Sequence, residues 1–252
     1  MTSLNIDRLT HHKCFIIFKI QLKIHTDAYN TRYVVTLYLS YGILLSQCPK
    51  FLKTIFMTTM NLSELRKQLR KQRRQLSRFT QKQTQQRILN MIRTLPEFHA
   101  SKSVGVYLDA FGEVRTQALI EYCFKHHKRV YLPNICNMNQ QLTWVEISQN
   151  QYRSQRFAHH RLGMREPMAT RGLHVSKLDL LVMPLLACDQ YGTRIGMGGG
   201  YYDRTLATAA RRPFRLGLAH DFQLIPQPLT REPWDQPLDA LLTPTLLQHF
   251  KR

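Results

Sequence analysis

Ten consecutive residues, Arg194 through Asp203, bring together four glycines, an arginine, two tyrosines and a carboxylate. Gly196, Gly198, Gly199 and Gly200 leave the backbone free to approach a ligand without Cβ interference. The amides of such a run, placed at the head of a helix, make a ready anion site. Arg194 at the loop entrance adds a charge-assisted contact suited to a phosphate. The faces of Tyr201 and Tyr202 suit a flat heterocycle, and the Asp203 carboxylate suits Mg2+ better than a phosphate oxygen. Two familiar phosphate loops are excluded. No GK[ST] follows a GxxxxG, and the GxGxxG spacing fails because the sixth position from Gly196 is Tyr201. A glycine run by itself is most simply a tight turn, but the arginine, tyrosines and aspartate within the same ten residues point to binding.

Elements that could position this loop read clearly from residue 61 onward. Leu62, Leu65, Leu69 and Leu76 mark one face of a helix, with Arg66, Lys67, Arg70, Lys71, Arg73 and Arg74 on the other. Of these cations, Arg70, Lys71, Arg73 and Arg74 read as a solvated face. A Gln-rich stretch over 80–94 predicts a second helix. Strands are predicted at 104–108, at 129–133 (stopped by Pro133), at 142–147 as an edge strand, and at 214–219. The apolar run over 178–186 predicts a central strand covered on both faces. Helices are predicted over 117–127 and 201–212. Strands alternating with helices give an α/β domain of three layers, a mostly parallel central sheet flanked by helices, with ligands at the carboxyl ends of the strands.

Composition narrows the class. The chain has 252 residues, 43% of them hydrophobic, enough for one cored domain plus an appendage. Its five cysteines are scattered without a CxxC pair, which argues against a disulfide framework or a zinc site and for a cytoplasmic protein. His126, His127, His159 and His160 come as adjacent pairs without metal-ligand spacing and read as surface residues. The net charge is +20. Residues 1–56 carry only +5 of it and the remainder +15, so the field belongs to the body of the protein and attracts polyanions. Residues 1–56 hold two apolar runs, 14–20 and 33–46. The second has 14 residues, short of the roughly 20 needed to span a bilayer. Three readings stand: a segment upstream of a true start at Met57 or Met60, a membrane-associated extension, or an added structural element.

The segment GTRIGMGGGYYDR (192–204) resembles the signature of the 5-formyltetrahydrofolate cyclo-ligase family, roughly G-x-R-x-G-x-G-x-G-[FY]-Y-D, in every spacing. Three further segments are similar to that family in order: SELRKQLRKQRRQLS (63–77), VGVYLDAFGEVRTQALI (104–120) and EPWDQPLDALLTP (232–244). The resemblance implies a single cyclo-ligase-like α/β domain over 59–252 and leaves 1–58 as a non-family N-terminal extension.

Carried over residue by residue, the resemblance implies that Arg194, Ile195, Gly196, Met197, Gly198, Gly199, Gly200, Tyr201 and Tyr202, with Arg66 of the first helix, hold ATP. Leu108 and Glu113, with Met197 through Tyr201, hold the folate. A carboxylate such as Glu113 can accept two parallel hydrogen bonds from an aminopyrimidinone edge. Asp203 and Asp235 correspond to the Mg2+ carboxylates, and Arg194, Tyr201 and Asp203 to the catalytic set. Two positions depart from the pattern: Leu62 stands where a basic residue is usual, and Met197 where some members carry one. The implied reaction is ATP-dependent closure of 5-formyltetrahydrofolate, polyglutamylated or not, to 5,10-methenyltetrahydrofolate, by a monomer that needs neither nucleic acid nor membrane. Two rivals are a basic nucleic-acid-binding protein, for which no aromatic platform is evident, and an inactive folate-binding relative, for which Leu62 speaks.

Overall fold

The computed structural model describes residues 61–168 and 171–251, together with the backbone of 19–27 and 30–38. The chain divides into two compact units, Met1–Thr59 and Met60–Arg252. In the first, β1 (Lys19–Asp27) and β2 (Asn30–Tyr38) pair antiparallel as a hairpin. Met57, Met60 and most of the two apolar runs lie outside the described residues.

In the second unit the order is α1 (Leu62–Gln75), α2 (Arg78–Ile92), α3 (Pro96–Ala100), β3 (Ser103–Gly105), α4 (Gln117–Lys125), β4 (Arg129–Cys136), β5 (Gln141–Ile147), α5 (Gln149–Arg153), β6 (Phe157–His159) and β7 (Arg165–Pro167). There follow β8 (Leu180–Pro184), β9 (Ala187–Asp189), β10 (Arg194–Ile195), α6 (Tyr201–Ala207), β11 (Phe214–Leu218), β12 (Leu224–Ile225), β13 (Ala240–Leu242) and β14 (Leu247–His249). Seven strands form the main sheet in the order β14-β13-β11-β8-β3-β4-β5. The five inner strands run parallel and the two edges, β14 and β5, antiparallel.

Alternate residues of β8 explain its central place. Leu180 and Val182 enter the core under α2 and α4, built from Ile88, Ile92, Leu119, Ile120 and Cys123. Leu181 and Met183 enter the opposite core with Trp144, Leu178, Leu206 and Leu241. A strand buried on both faces must be apolar throughout. The predicted three-layer α/β arrangement is therefore what forms. At the entrance of β3, Asp179 accepts bonds from the amides of Lys102 and Ser103 and the hydroxyl of Ser103, at 2.8–2.9 Å. These bonds hold its carboxyl below the usual carboxylate range even though burial pushes the other way.

Several sequence expectations change, beginning with the strand predicted at 104–108, which is only Ser103–Gly105. Pro133 does not end β4, which runs on to Cys136 with Pro133 opposite Trp144. On its other side β3 pairs β4 only as far as Tyr131, so the missing N–H of Pro133 interrupts no ladder there. The helix after the glycine run stops at Ala207, not 212. The carbonyls of Leu206 in its last turn and of Ala209 just beyond it are taken by the buried Arg215 guanidinium at 3.4 and 3.2 Å. On α1 the buried residues are Leu65, Leu69 and Arg73, while Leu62 is exposed.

A smaller sheet, β10-β9-β12, lies beside the main one. Leu65 and Leu69 of α1 pack there against Leu186, Ala187 and Ile195. That contact fixes α1 next to the glycine run. Trp144, fully buried, is packed by the Tyr202 ring at 6.5 Å and by the β3 backbone at Gly105, while its own backbone bridges to Leu173. Trp144→Ala should cost about 3–5 kcal/mol of unfolding free energy in a denaturant titration, because it opens a cavity between sheet and helix.

Candidate active site

The glycine run is an open surface loop, with Met197, Gly198 and Gly199 exposed. Gly198 and Gly200 hold φ of +106° and +65°, a region that side chains with a Cβ rarely adopt. Two of its carbonyls are engaged: Gly196 O accepts from Arg66 Nε at 3.3 Å, and Gly199 O from Arg204 Nη2 at 2.6 Å. By contrast, none of the five amides from Gly196 to Gly200 donates a hydrogen bond among the described residues. Five consecutive donors without protein partners on an open loop are available to an anion. The helix behind it, α6, has only seven residues, so loop amides and side chains carry most of that attraction.

At the loop entrance Arg194 is buried and its Nη2 bonds Asp203 Oδ1 at 2.7 Å, with the guanidinium over the Tyr202 ring at 5.6 Å. Asp203 Oδ1 also accepts the Gln236 amide at 3.2 Å, which brings the 232–236 segment against α6. Asp235 lies next to that junction, in a turn closed by its own Oδ2 accepting from Glu232 N at 2.9 Å. Arg215 fastens the same segment from beneath, donating to Gln236 Oε1 and Pro237 O at 3.3 Å each. Asp203 Oδ2 accepts nothing among the described residues. These two acids could hold a hard cation whose remaining ligands come from phosphates and water, the habit of Mg2+. No group of three or more His, Cys, Asp or Glu suited to a metal occurs among the described residues.

The second half of the site is the loop between β3 and α4. Thr116 Oγ1 donates to Tyr107 O at 2.7 Å and Tyr107 OH to Val114 O at 2.9 Å, closing the loop at its base. Gly112, at φ +78°, presses on the α1 backbone: a Cβ there would lie 2.5 Å from Arg73 O. Glu113 is thereby sunk to 11% side-chain exposure, its Oε2 accepting from Ala110 N at 3.1 Å. Burial pushes its carboxyl up to about 7, against the opposing pull of Arg73 and the Ala110 amide. Leu108, half-buried, flanks the same loop.

Arg73 joins the halves. Its side chain is 1% exposed, and its Nη1 stands 3.7 Å from Glu113 Oε1 and 3.3 Å from Leu185 O. Its Nη2 reaches Met197 Sδ of the glycine run at 3.5 Å. The Tyr202 hydroxyl, raised mainly by burial, is raised further by the Glu113 charge, so α6 and the 109–113 loop share one electrostatic neighbourhood. Sequence reasoning missed Arg73 and placed it in solvent. It also missed buried His220, whose Nε2 meets Gly112 O at 3.1 Å. The spacing 65, 69, 73 was the available signal for Arg73; none marks His220. The described cysteines are free, and burial pushes Cys123 and Cys188 up to about 12, far from thiolate nucleophiles.

The model of the 5-formyltetrahydrofolate cyclo-ligase family matches residues 58–244. The 5-formyltetrahydrofolate cyclo-ligase of Escherichia coli K12 is 38% identical over 168 residues, which span 66% of this chain and 90% of that protein. The enzyme of the same name from Haemophilus influenzae is 33% identical over 196 residues, 74% of this chain and 99% of that one. Among solved structures, 5,10-methenyltetrahydrofolate synthetase from Aquifex aeolicus aligns with a TM-score of 0.66 at 28% identity, covering 77% of this chain and 94% of its own. The Mycoplasma pneumoniae synthetase, at 0.58 and 22% identity, covers 73% and 99% and shares the fold.

The raised carboxyl of Glu113 has a consequence for stability. Between the usual value of 4.5 and about 7 the folded chain holds a proton on Glu113 that the unfolded chain has released. The stability contributed by that proton is complete below 4.5 and lost as pH rises through about 7. Melting curves of wild type and Glu113→Gln should therefore show a smaller drop between pH 5 and 8 in the variant. Parallel curves would remove the assignment.

Proposed function

The chain belongs to the 5-formyltetrahydrofolate cyclo-ligase family, and from that premise we propose that it closes 5-formyltetrahydrofolate to 5,10-methenyltetrahydrofolate, converting ATP to ADP and phosphate. The observation that carries the proposal is the row of five partnerless amides from Gly196 to Gly200, set beside a sunken carboxylate at Glu113.

The difficulty in the reaction is the formyl group on N5, an amide whose carbon is a poor electrophile and whose oxygen is a poor leaving group. Transfer of the γ-phosphoryl group to the formyl oxygen solves both. N10 then attacks the activated carbon and gives up its proton as the ring closes, and the oxygen departs as phosphate. Phosphoryl transfer asks a protein for positioning and charge neutralisation more than for covalent chemistry. The loop amides, Arg66 and Arg194 supply the positive side. Tyr201 and Tyr202 flank the nucleotide, and Arg194 keeps Asp203 aligned through the 2.7 Å pair.

On the folate side, Glu113 accepts from the amino and ring N–H groups of the pterin, Leu108 meets its apolar edge, and Met197 through Tyr201 form the wall shared with ATP. Mg2+ bound to Asp203 and Asp235 would neutralise phosphate charge. The Asp203 oxygen left open beside the Asp235 turn supports that assignment. The positive field suits a polyglutamylated substrate. We assign the activity to residues 59–252, with 1–58 outside the working domain, and place the enzyme in the cytoplasm as a monomer. No helix among the described residues is long and apolar enough to cross a membrane.

The direct test combines protein, Mg-ATP and 5-formyltetrahydrofolate and follows the absorbance of the methenyl product. Steady ATP-dependent growth of that band is expected, and no growth above a protein-free control would end the proposal. Asp203→Ala should lower the rate about 100-fold or more in a protein that is less stable but still melts cooperatively, whereas an unchanged rate would detach Asp203 from the reaction.

A further inference from the structure

Arg73 has no assignment in the reaction just described, yet more of the site passes through it than through any other described side chain. It leaves α1 on the same stripe as Leu65 and Leu69 and ends among three segments: the 109–113 loop, the turn after β8 at Leu185, and the glycine run at Met197. We propose that Arg73 is a positioning residue for the folate: it holds Glu113 in place and draws it toward the ionised form the pterin needs, while tying that carboxylate to the wall shared with ATP. The proposal rests on the reading of Glu113 as the pterin acceptor.

The physical argument is one of charge. A carboxylate buried to this depth tends to take up a proton, and a protonated Glu113 accepts at one oxygen fewer and loses the bidentate pattern. The groups around it are the Arg73 guanidinium from α1, the Ala110 amide and the Asp109 carboxylate from its own loop, and the Tyr107 and Tyr202 hydroxyls from the β3 end and α6. Among them only Arg73 is cationic. His220, close to Arg73, is pulled toward its neutral form by burial. Removing Arg73 would therefore leave a buried acid with no cationic neighbour among these groups. Arg73's contact with the nucleotide side is a weak bond to a thioether, so ATP should feel the loss far less.

The test uses the full chain and compares wild type, Arg73→Met, Arg73→Lys, Glu113→Gln and the Arg73→Met/Glu113→Gln double variant. KM for each substrate and the pH dependence of kcat/KM for the folate are measured, with melting curves alongside. Arg73→Met should raise KM for 5-formyltetrahydrofolate about tenfold or more, leave KM for ATP within about twofold, and move the acid limb of the folate profile up by about one pH unit. Arg73→Lys should bring the acid limb back, since it restores charge. In the Glu113→Gln background the Arg73→Met change should add little to KM for the folate, because the partner through which it acts is gone. Should Arg73→Met leave the folate KM and acid limb unmoved while Glu113→Gln is impaired, the positioning role is wrong and the pterin reading survives. Equal losses for both substrates, with an unshifted acid limb and no rescue by Lys, would make Arg73 merely structural. A silent Glu113→Gln would sink the pterin reading and this proposal with it. If Arg73→Met fails to fold, the acid limb and KM values of Arg73→Lys decide: a limb lying with that of wild type and a folate KM closer to wild type than that of Glu113→Gln sustain the role, and loss of either overturns it.

Discussion

One guanidinium placed where water cannot reach it sets the terms for this site. A charge removed from solvent must find both an opposite charge and enough acceptors. Arg73 finds its carboxylate and two acceptors only because the 109–113 loop, the turn after β8 and the glycine run arrive at the same point, and its Nε is still left without a partner among the described residues. The pair is mutual: at 11% exposure Glu113 is pushed toward its protonated form by burial, and Arg73 is the cation that pulls against it. The backbone participates too. Gly112 lies so close to the carbonyl of Arg73 that even a methyl group would collide, so the loop carrying the acid meets the helix carrying the base at backbone distance.

This convergence follows from the topology. In a doubly covered parallel sheet the strand exits face one edge, and segments far apart in sequence meet there. Glu113 follows β3, Leu185 follows β8, His220 follows β11, and the glycine run follows β10 of the small sheet. The small sheet adds what the main one lacks, a platform on which Leu65 and Leu69 seat α1, so that Arg66 and Arg73 reach inward from a helix that otherwise faces solvent with its cations. Arg215 performs a related task lower down, taking the carbonyls of Leu206 at the end of α6 and of Ala209 beyond it, with the Gln236 side chain and the Pro237 carbonyl. The helix that bears Asp203 and the segment that bears Asp235 are thus fastened to one side chain.

Much of this was legible in the residues alone, and the reasons differ by element. The parallel core announced itself because a strand buried on both sides has to be apolar at every position, as β8 is. The glycine run was legible because its conformations admit few other residue types: positive φ at Gly198 and Gly200 is a backbone demand that shows directly in composition. Arg73 was hidden by its own chemistry. Arginine is so rarely enclosed that helical spacing alone, at 65, 69 and 73, did not outweigh its type. The extent of α6 was misread because a competing acceptor-seeking side chain, Arg215, lies beyond the helix in sequence and beneath it in space. Likewise the nearness of Asp235 to Asp203 is a tertiary fact that no periodicity encodes; only the family resemblance paired them.

The chain has two tryptophans, and the fold treats them oppositely. Trp144 is fully buried between sheet and α6, whereas Trp234, beside Asp235, is 65% exposed. Their emission should consequently fall into two populations, a blue, quencher-resistant one and a red one open to iodide. Loss of the first would record unfolding of the core. A change confined to the second would record events at the Asp203–Asp235 edge, so the protein carries its own pair of optical reporters without any label.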